Sequence, residues 1–381
     1  MSWPVECLGN IAEFINGKAF KPSDWHEDGI KIIRIQNLTN PSKPYNLTKT
    51  DVKDKYIVKK GELLVSWSAT IDVFVWNGEN AAVNQHIFRV VPNEEVVNVN
   101  YLRHSLKNSL KQMMKYLHGS TMKHINRREF LATTIPLPPL KEQRRIAAIL
   151  DKADEVNKSS NQSNEMRESL IRSAFIEFFG DSITNPKGWP KKPLVDVAEK
   201  VTVGYVGPVK KYLDDLGIPM FRTGNVGNYF LNHDKMIHIS RDFHLKIQKS
   251  SVMKNDVLIN RHVTDEMKCS IVSEEIGEAN CMNMLLIRPG ELLDPFFLSG
   301  LIQSKASQHE LLQQKSGSAQ QVVNTTRLRQ WLIPVPPIKL QNQYASFATK
   351  ILSEMADNYQ LQDIVKLRGS LIQELIHRDK Q

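Results

Sequence analysis

Apolar residues recur at three-and-four spacing over two stretches longer than an ordinary helix. The first begins at Leu140 and carries Ile146, Ile149/Leu150, Ala153 and Val156. It fades through the polar residues 157–165 and resumes at Met166, Leu170, Ala174 and Phe178. This pattern predicts a helix over 140–180, roughly 55 to 60 Å long at 1.5 Å per residue if unbroken, closed by Gly180 and the turn-rich Asn185-Pro186-Lys187-Gly188-Trp189-Pro190. The second stretch places Tyr344, Phe347/Ala348, Ile351, Met355, Tyr359, Leu367 and Leu371 on one stripe and predicts a helix over 338–381. Two such stripes left bare would aggregate, so the helices are expected to pair with each other, most simply antiparallel.

Ahead of each helix the pattern is strand-like. Ile30–Ile35, Glu62–Trp67 and His86–Val91 are short β-branched and apolar runs bounded by Gly29, Gly61 and Pro92. Leu102, Leu106, Leu110 and Met113/Met114 then predict a helix over Tyr101–Leu117. The whole arrangement occurs twice. Ile135-Pro136-Leu137-Pro138-Pro139-Leu140-Lys141-Glu142-Gln143 returns 198 residues later as Ile333-Pro334-Val335-Pro336-Pro337-Ile338-Lys339-Leu340-Gln341. Trp189-Pro190 echoes Trp3-Pro4, Pro219–Val226 echoes Ile32–Leu38, Lys254–Asn260 echoes Lys60–Ser66, and Gly317-Ser318 echoes Gly119-Ser120. Prolines at alternate and adjacent positions hold each brace extended and set the angle at which its helix leaves. Pro136–Pro139 also spells P-x-x-P, but such ligands are seldom followed at once by a helix and repeated at half-chain distance. The expected fold is α+β with internal two-fold repetition. It has one mixed domain over 1–139, a spacer helix over 140–180, a second domain over 181–337 and a second helix over 338–381, the helices forming an antiparallel coiled coil.

Composition narrows the partner. With 381 residues the chain suits two or three domains, and 41% hydrophobic with 24% charged residues is ordinary for a globular protein. A formal charge of +9 favours an anionic partner, nucleic acid above all, with plain solubility as the competing reading. Cys7, Cys269 and Cys281 make no C-x-x-C pair, and no run of about 18 apolar residues or basic leader occurs, which points to a reducing, cytoplasmic setting without membrane.

Catalytic chemistry is hard to find. There is no N-P-P-[YF] amino-methyltransferase motif, and Gly17-Lys18 lacks the upstream glycine and the hydroxyl residue of a phosphate loop. Asp256 followed by Glu266-Met267-Lys268 has the outline of a nuclease metal site, yet acid-x-Lys triplets arise easily in so charged a chain. His233, His238 and His244 lack ligand spacing and are expected at the surface or facing DNA.

Contacts to nucleic acid are expected from loops at equivalent places in the repeat. Arg34, Gln36 and Asn37 leave one strand as Arg222, Thr223 and Asn225 leave its counterpart, and arginine, glutamine and asparagine can pair bidentately with base edges. Bonding of the asparagines to their own loop is the competing reading. Ser120, Thr121 and Lys123 in one small polar loop, and Ser318, Gln320 and Gln321 in its partner, suit close approach to a groove. Arg127 and Arg128 suit phosphate, although Asn126 with Glu129 also reads as a helix cap. Lys191, Lys192, Lys210 and Lys211 are weaker phosphate candidates.

The doubled brace with its helix, the [ED]-[LV]-L-[VI] strand followed by a loop bearing Ser or Thr, and the Gly-Ser loop ahead of each brace run in order from Trp3 to the C-terminus. In this the chain resembles the specificity subunit of type I restriction–modification enzymes. The resemblance implies a non-catalytic subunit with two target-recognition domains, each reading one half of a bipartite duplex DNA sequence. The helix pair would act as a ruler and dock methyltransferase subunits, expected as a pair, together with restriction subunits. S-adenosylmethionine, ATP and magnesium would belong to those partners, with no cofactor or metal in this chain. The loop after the strand, often S-R-x-G-T in the family, is Ser66-Trp67-Ser68-Ala69-Thr70 here and Asn260-Arg261-His262-Val263-Thr264 in the second half; only the second keeps the arginine and neither keeps the glycine. Ser66, Ser68, Thr70, Arg261 and His262 are the contacts implied there. A fused methyltransferase–endonuclease would need the absent motifs. A basic coiled-coil scaffold would not need two strand-rich domains, and a methylation-only relative stays open.

Overall fold

The computed structural model describes residues 3–116, 126–234, 236–263, 266–272, 277–312 and 321–356. They divide into two compact units, one up to Ser159 and the other from Ser160 onward.

In the first unit, four antiparallel strands lie in the order Ala12–Asn16, Ile87–Pro92, Leu63–Ser66, Asp72–Val75. A second sheet orders Asn46–Thr48, Ile30–Ile33, Ala81–Val83 and Ile57–Val58, with Ile30–Ile33 parallel to Ala81–Val83. The expected strand Ile30–Ile35 stops at Ile33, because the backbone turns into a short helix over Ile35–Thr39. The helix Val99–Tyr116 packs Tyr101, Leu102, Leu106 and Leu110 into a core with Phe14, Leu63, Val65 and Phe88.

The second unit repeats this plan. Its larger sheet orders Ala198–Val203, Met284–Pro289, Val257–Asn260 and Cys269–Ile271; its smaller one orders Ile237–Ile239, Leu213–Phe221 and Asn280–Cys281, the last two again parallel. Helices Pro295–Gln303 and Lys305–Leu312 stand where the first unit has one.

Each brace closes its own unit. Val5–Cys7 pairs antiparallel with Thr134–Pro136, and Lys191–Pro193 with Leu332–Pro334. The Leu137 N–H donates to Pro4 O at 2.7 Å and the Val335 N–H to Pro190 O at 2.8 Å, so the repeated Trp-Pro marks the strand that meets the brace. The terminal glutamine of each motif is wholly buried. Gln143 Nε2 donates to Val96 O and Pro138 O and its Oε1 accepts from the Asn98 N–H; Gln341 Nε2 donates to Leu292 O and Pro336 O and its Oε1 accepts from the Asp294 N–H. A buried amide that fills its donors and acceptor cannot be exchanged for an apolar residue without stranding backbone groups, which explains a polar residue at the start of an apolar stripe.

The first long helix is continuous over Leu140–Phe179, polar stretch included. Ile146, Ala147 and Leu150 enter the core of the first unit; Ile171, Ala174, Phe175 and Phe179 enter that of the second. Within the second unit it lies against the helix over residues 338–356. Phe175 meets Tyr344 at a 5.6 Å ring separation and Arg167 Nε reaches Glu354 at 3.4 Å, so one chain rises as the other falls and the pairing is antiparallel.

Candidate nucleic-acid interface

Three strand ends converge in each unit on the connector between its two sheets. In the first unit that connector is Asn84-Gln85-His86. The Asn84 N–H donates to Ile33 O at 3.1 Å, the Lys18 N–H to Val83 O at 2.8 Å, the Gly17 N–H to Ile87 O at 3.0 Å and the Trp67 N–H to His86 O at 3.3 Å. In the second it is Met282-Asn283. The Met282 N–H donates to Phe221 O at 2.9 Å, the Tyr205 N–H to Cys281 O at 2.9 Å and the Gly204 N–H to Met284 O at 2.9 Å, while Asn260 pairs with Met284. The crossing is so close that a Cβ at Gly17 would sit 2.3 Å from Val83 O, and one at Gly204 2.6 Å from Cys281 O. Gly17-Lys18 is thus a backbone crossing, which is why it needs glycine without being a phosphate loop.

This convergence gathers the loops of both candidate sets, but it sorts their residues. Arg34, Gln36 and Arg222 are exposed. Asn37 and Asn225 are buried. Asn37 Oδ1 accepts from the Arg34 N–H and its Nδ2 donates to Lys43 O and Pro44 O; Asn225 Oδ1 accepts from the Arg222 N–H and its Nδ2 donates to Asn232 O and Asp234 O. As base contacts these two asparagines are corrected: their amides are consumed in holding the loops that present the arginines. The Thr223 hydroxyl donates to Asn283 O at 3.1 Å, tying loop to connector. Arg222, Thr223, Asn232, Asp234, Met282 and Asn283 border a cavity of about 550 Å³.

Ser66 is corrected as well. It is fully buried, its hydroxyl donates to Thr70 O, and it accepts from the Asp72 N–H at 3.1 Å, closing the loop on itself. Ser68 is buried and Thr70 exposed. Ala69, at the family's glycine position, has φ +56°, the left-handed backbone for which glycine is the easier residue. In the second unit His262 is exposed, Arg261 is half-buried, and His262-Val263 pairs antiparallel with Gln321-Val322, His262 opposite Val322 and Val263 opposite Gln321. Ser120, Thr121, Lys123, Ser318 and Gln320 lie outside the described residues, as does the side chain of Gln321.

Arg127 is exposed, and its NH1 donates to Phe14 O at 2.9 Å and Asn16 Oδ1 at 2.7 Å, with the guanidinium 5.3 Å from the Phe88 ring centroid, so part of its donor set braces the sheet. Arg329 does the same in the second unit, donating to Val201 O at 3.1 Å. Asn126 caps its helix by accepting from the Arg128 N–H. Asp256, the acid of the nuclease-like outline, is buried and gripped by Arg288 at 2.8 and 2.9 Å, as Glu62 is by Arg89 in the other half. Burial acts to raise the Glu62 carboxyl, but the Arg89 guanidinium and the Lys59 N–H outweigh it and hold it below the ordinary range. His244, expected at the surface, is buried, with Nδ1 2.6 Å from Asn280 Oδ1.

The family model for the type I restriction modification DNA specificity domain matches residues 2–166 and again 186–364. The chain belongs to this family. The specificity subunit of the type I restriction enzyme EcoBI of Escherichia coli is 26% identical over 375 residues, covering 90% of this chain and 77% of that protein. That of MjaIX of Methanocaldococcus jannaschii is 23% identical over 408 residues, covering 98% and 92%. The crystal structure of an S subunit from M. genitalium shares the fold, with a TM-score of 0.57 at 12% identity over 99% of this chain and 96% of that one. As a specificity-family chain it carries the family domain twice, as its two units do. Among the described residues no helix is long and apolar enough to cross a membrane.

Sequence reasoning missed the connectors of this specificity chain. A signal was present in the first half, where the polar run Asn84-Gln85-His86 interrupts two apolar strands; in the second, Met282-Asn283 between apolar runs offered little.

Proposed function

We propose that each unit reads one half of a split duplex DNA sequence, and that the long helices set the interval and dock two methyltransferase subunits and the restriction subunits. The chain itself performs no chemistry. S-adenosylmethionine, ATP and magnesium act on the partners, in the cytoplasm. The observation that carries this reading is the strand-end convergence built twice on one hydrogen-bond scheme but dressed with different side chains: Arg34, Gln36, Gln85 and His86 in one unit, Arg222, Asn232 and Asn283 in the other. Equal scaffolds with unequal faces suit two different half-sites. A net charge of +9 supplies the attraction to phosphate.

Mapping methylated adenines in the source genome tests this directly. A bipartite, asymmetric motif with a constant unspecified gap is expected; methylation confined to continuous sequences would overturn the reading. Incubating the purified chain with S-adenosylmethionine and DNA gives the complementary test, since methyl transfer without an added partner contradicts a purely reading role.

A further inference from the structure

We infer that Gln85 and Asn283 are specificity-determining residues, each reading an A·T base pair through its carboxamide, one in each half-site. The inference rests on the DNA-reading role proposed above and names the atoms that do it. Asn283 lies 198 residues after Gln85, the same offset as the two braces. Both follow directly the residue whose N–H pins the connector to the parallel strand, Asn84 on Ile33 and Met282 on Phe221. The first connector has one residue more before it rejoins its sheet, so the carboxamide is the feature the two retain despite a changed length.

Hydrogen bonding separates these amides from Asn37 and Asn225, whose groups are all spent. Gln85 is half-buried and its covered Oε1 has no hydrogen-bond partner among the described residues, so turning the carboxamide outward to a base breaks no hydrogen bond at that oxygen. The Asn283 amide makes no hydrogen bond among the described residues and borders the 550 Å³ cavity beside Arg222. Its backbone, by contrast, is fixed: φ is +54°, its N–H donates to Tyr205 O at 3.0 Å and its carbonyl accepts from the Thr223 hydroxyl at 3.1 Å. A rigid backbone carrying an unspent amide at the meeting point of three strand ends is pre-organised for recognition. A carboxamide presents one donor and one acceptor side by side, the complement of adenine N7 and N6 in the major groove.

The test replaces the genomic copy with Asn283→Gly, which keeps the left-handed backbone, Asn283→Asp, which keeps the shape, and Gln85→Ala, followed by mapping of methylated adenines. Both Asn283 variants should alter the requirement at one A·T pair in one half-site only. With Asn283→Gly, discrimination there falls from at least about tenfold to under about twofold. Gln85→Ala should do the same at one pair in the other half. An unchanged motif in all three variants, or weakening at every site alike with no pair singled out, would overturn the inference while leaving the split-site reading intact. Absence of a split motif in the wild type would instead remove the reading on which it rests.

Discussion

Arg222 and Asn225 stand three residues apart on one loop and differ in burial. Asn225 is buried and bonds three backbone groups, while Arg222 is exposed beside the cavity. Asn225→Ala should therefore lower stability by about 2 kcal/mol by leaving buried groups unpaired, read as an earlier thermal transition of the second unit. Arg222→Ala should leave that transition within about 0.5 kcal/mol and weaken DNA binding instead. If Arg222→Ala shifts the transition as much as Asn225→Ala, the division of labour is wrong. The same contrast in burial holds between Asn37 and Arg34.

Elements are locked to one another by a few special contacts. Gly300, in the helix Pro295–Gln303, lies where the long helix and the helix over 338–356 meet the core; a Cβ there would stand 2.5 Å from the Phe175 ring and 2.9 Å from the Tyr344 hydroxyl. Both rings belong to the aromatic cluster with Phe179 and Phe297, so neither can yield easily. Gly300→Ala should cost about 1–3 kcal/mol through overpacking, against the helix propensity that favours alanine, and denaturant unfolding of the full chain would show it. In the first unit, helix Val99–Tyr116 is latched to Leu140–Phe179 by His104 Nε2 donating to Asp151 Oδ1 at 2.7 Å and Asn100 Nδ2 to Asp151 Oδ2 at 3.2 Å. Burial, opposed by the Asp151 carboxylate, holds the His104 imidazole below its ordinary value of 6.5. The unfolded chain then binds the proton more readily than the folded one, so stability should fall as pH drops below about 6.5. His104→Gln should flatten that slope in unfolding measured between pH 5 and 7.5; an unchanged slope would clear His104 of the effect.

At the scale of the whole molecule, one helix of 40 residues supplies side chains to both cores. If the long helices measure the gap between half-sites, removing seven residues from each shortens the ruler by about 10 Å, or roughly three base pairs. The methylated motif should keep both half-sequences and lose about three positions from its gap. An unchanged gap would refute the ruler.

Much of this architecture was legible in the chain itself. The first apolar stripe, the second as far as Met355, the braces at a constant offset and the Trp-Pro echo follow from local periodicity and from backbone limits at proline, which neighbouring residues decide among themselves; the rest of the second stripe lies outside the described residues. The sorting of polar groups was not legible: Asn37 and Asn225 into the loops, Asp256 onto Arg288, Arg127 onto Phe14 O, His244 into the interior, and Gln85 and Asn283 onto the connectors. Apart from the loop asparagines, the partners that settle these roles lie tens of residues away in sequence, and for Arg127 more than a hundred. Only folding brings them within hydrogen-bond reach, and so only the tertiary structure decides which polar side chains are spent on the fold and which remain for DNA.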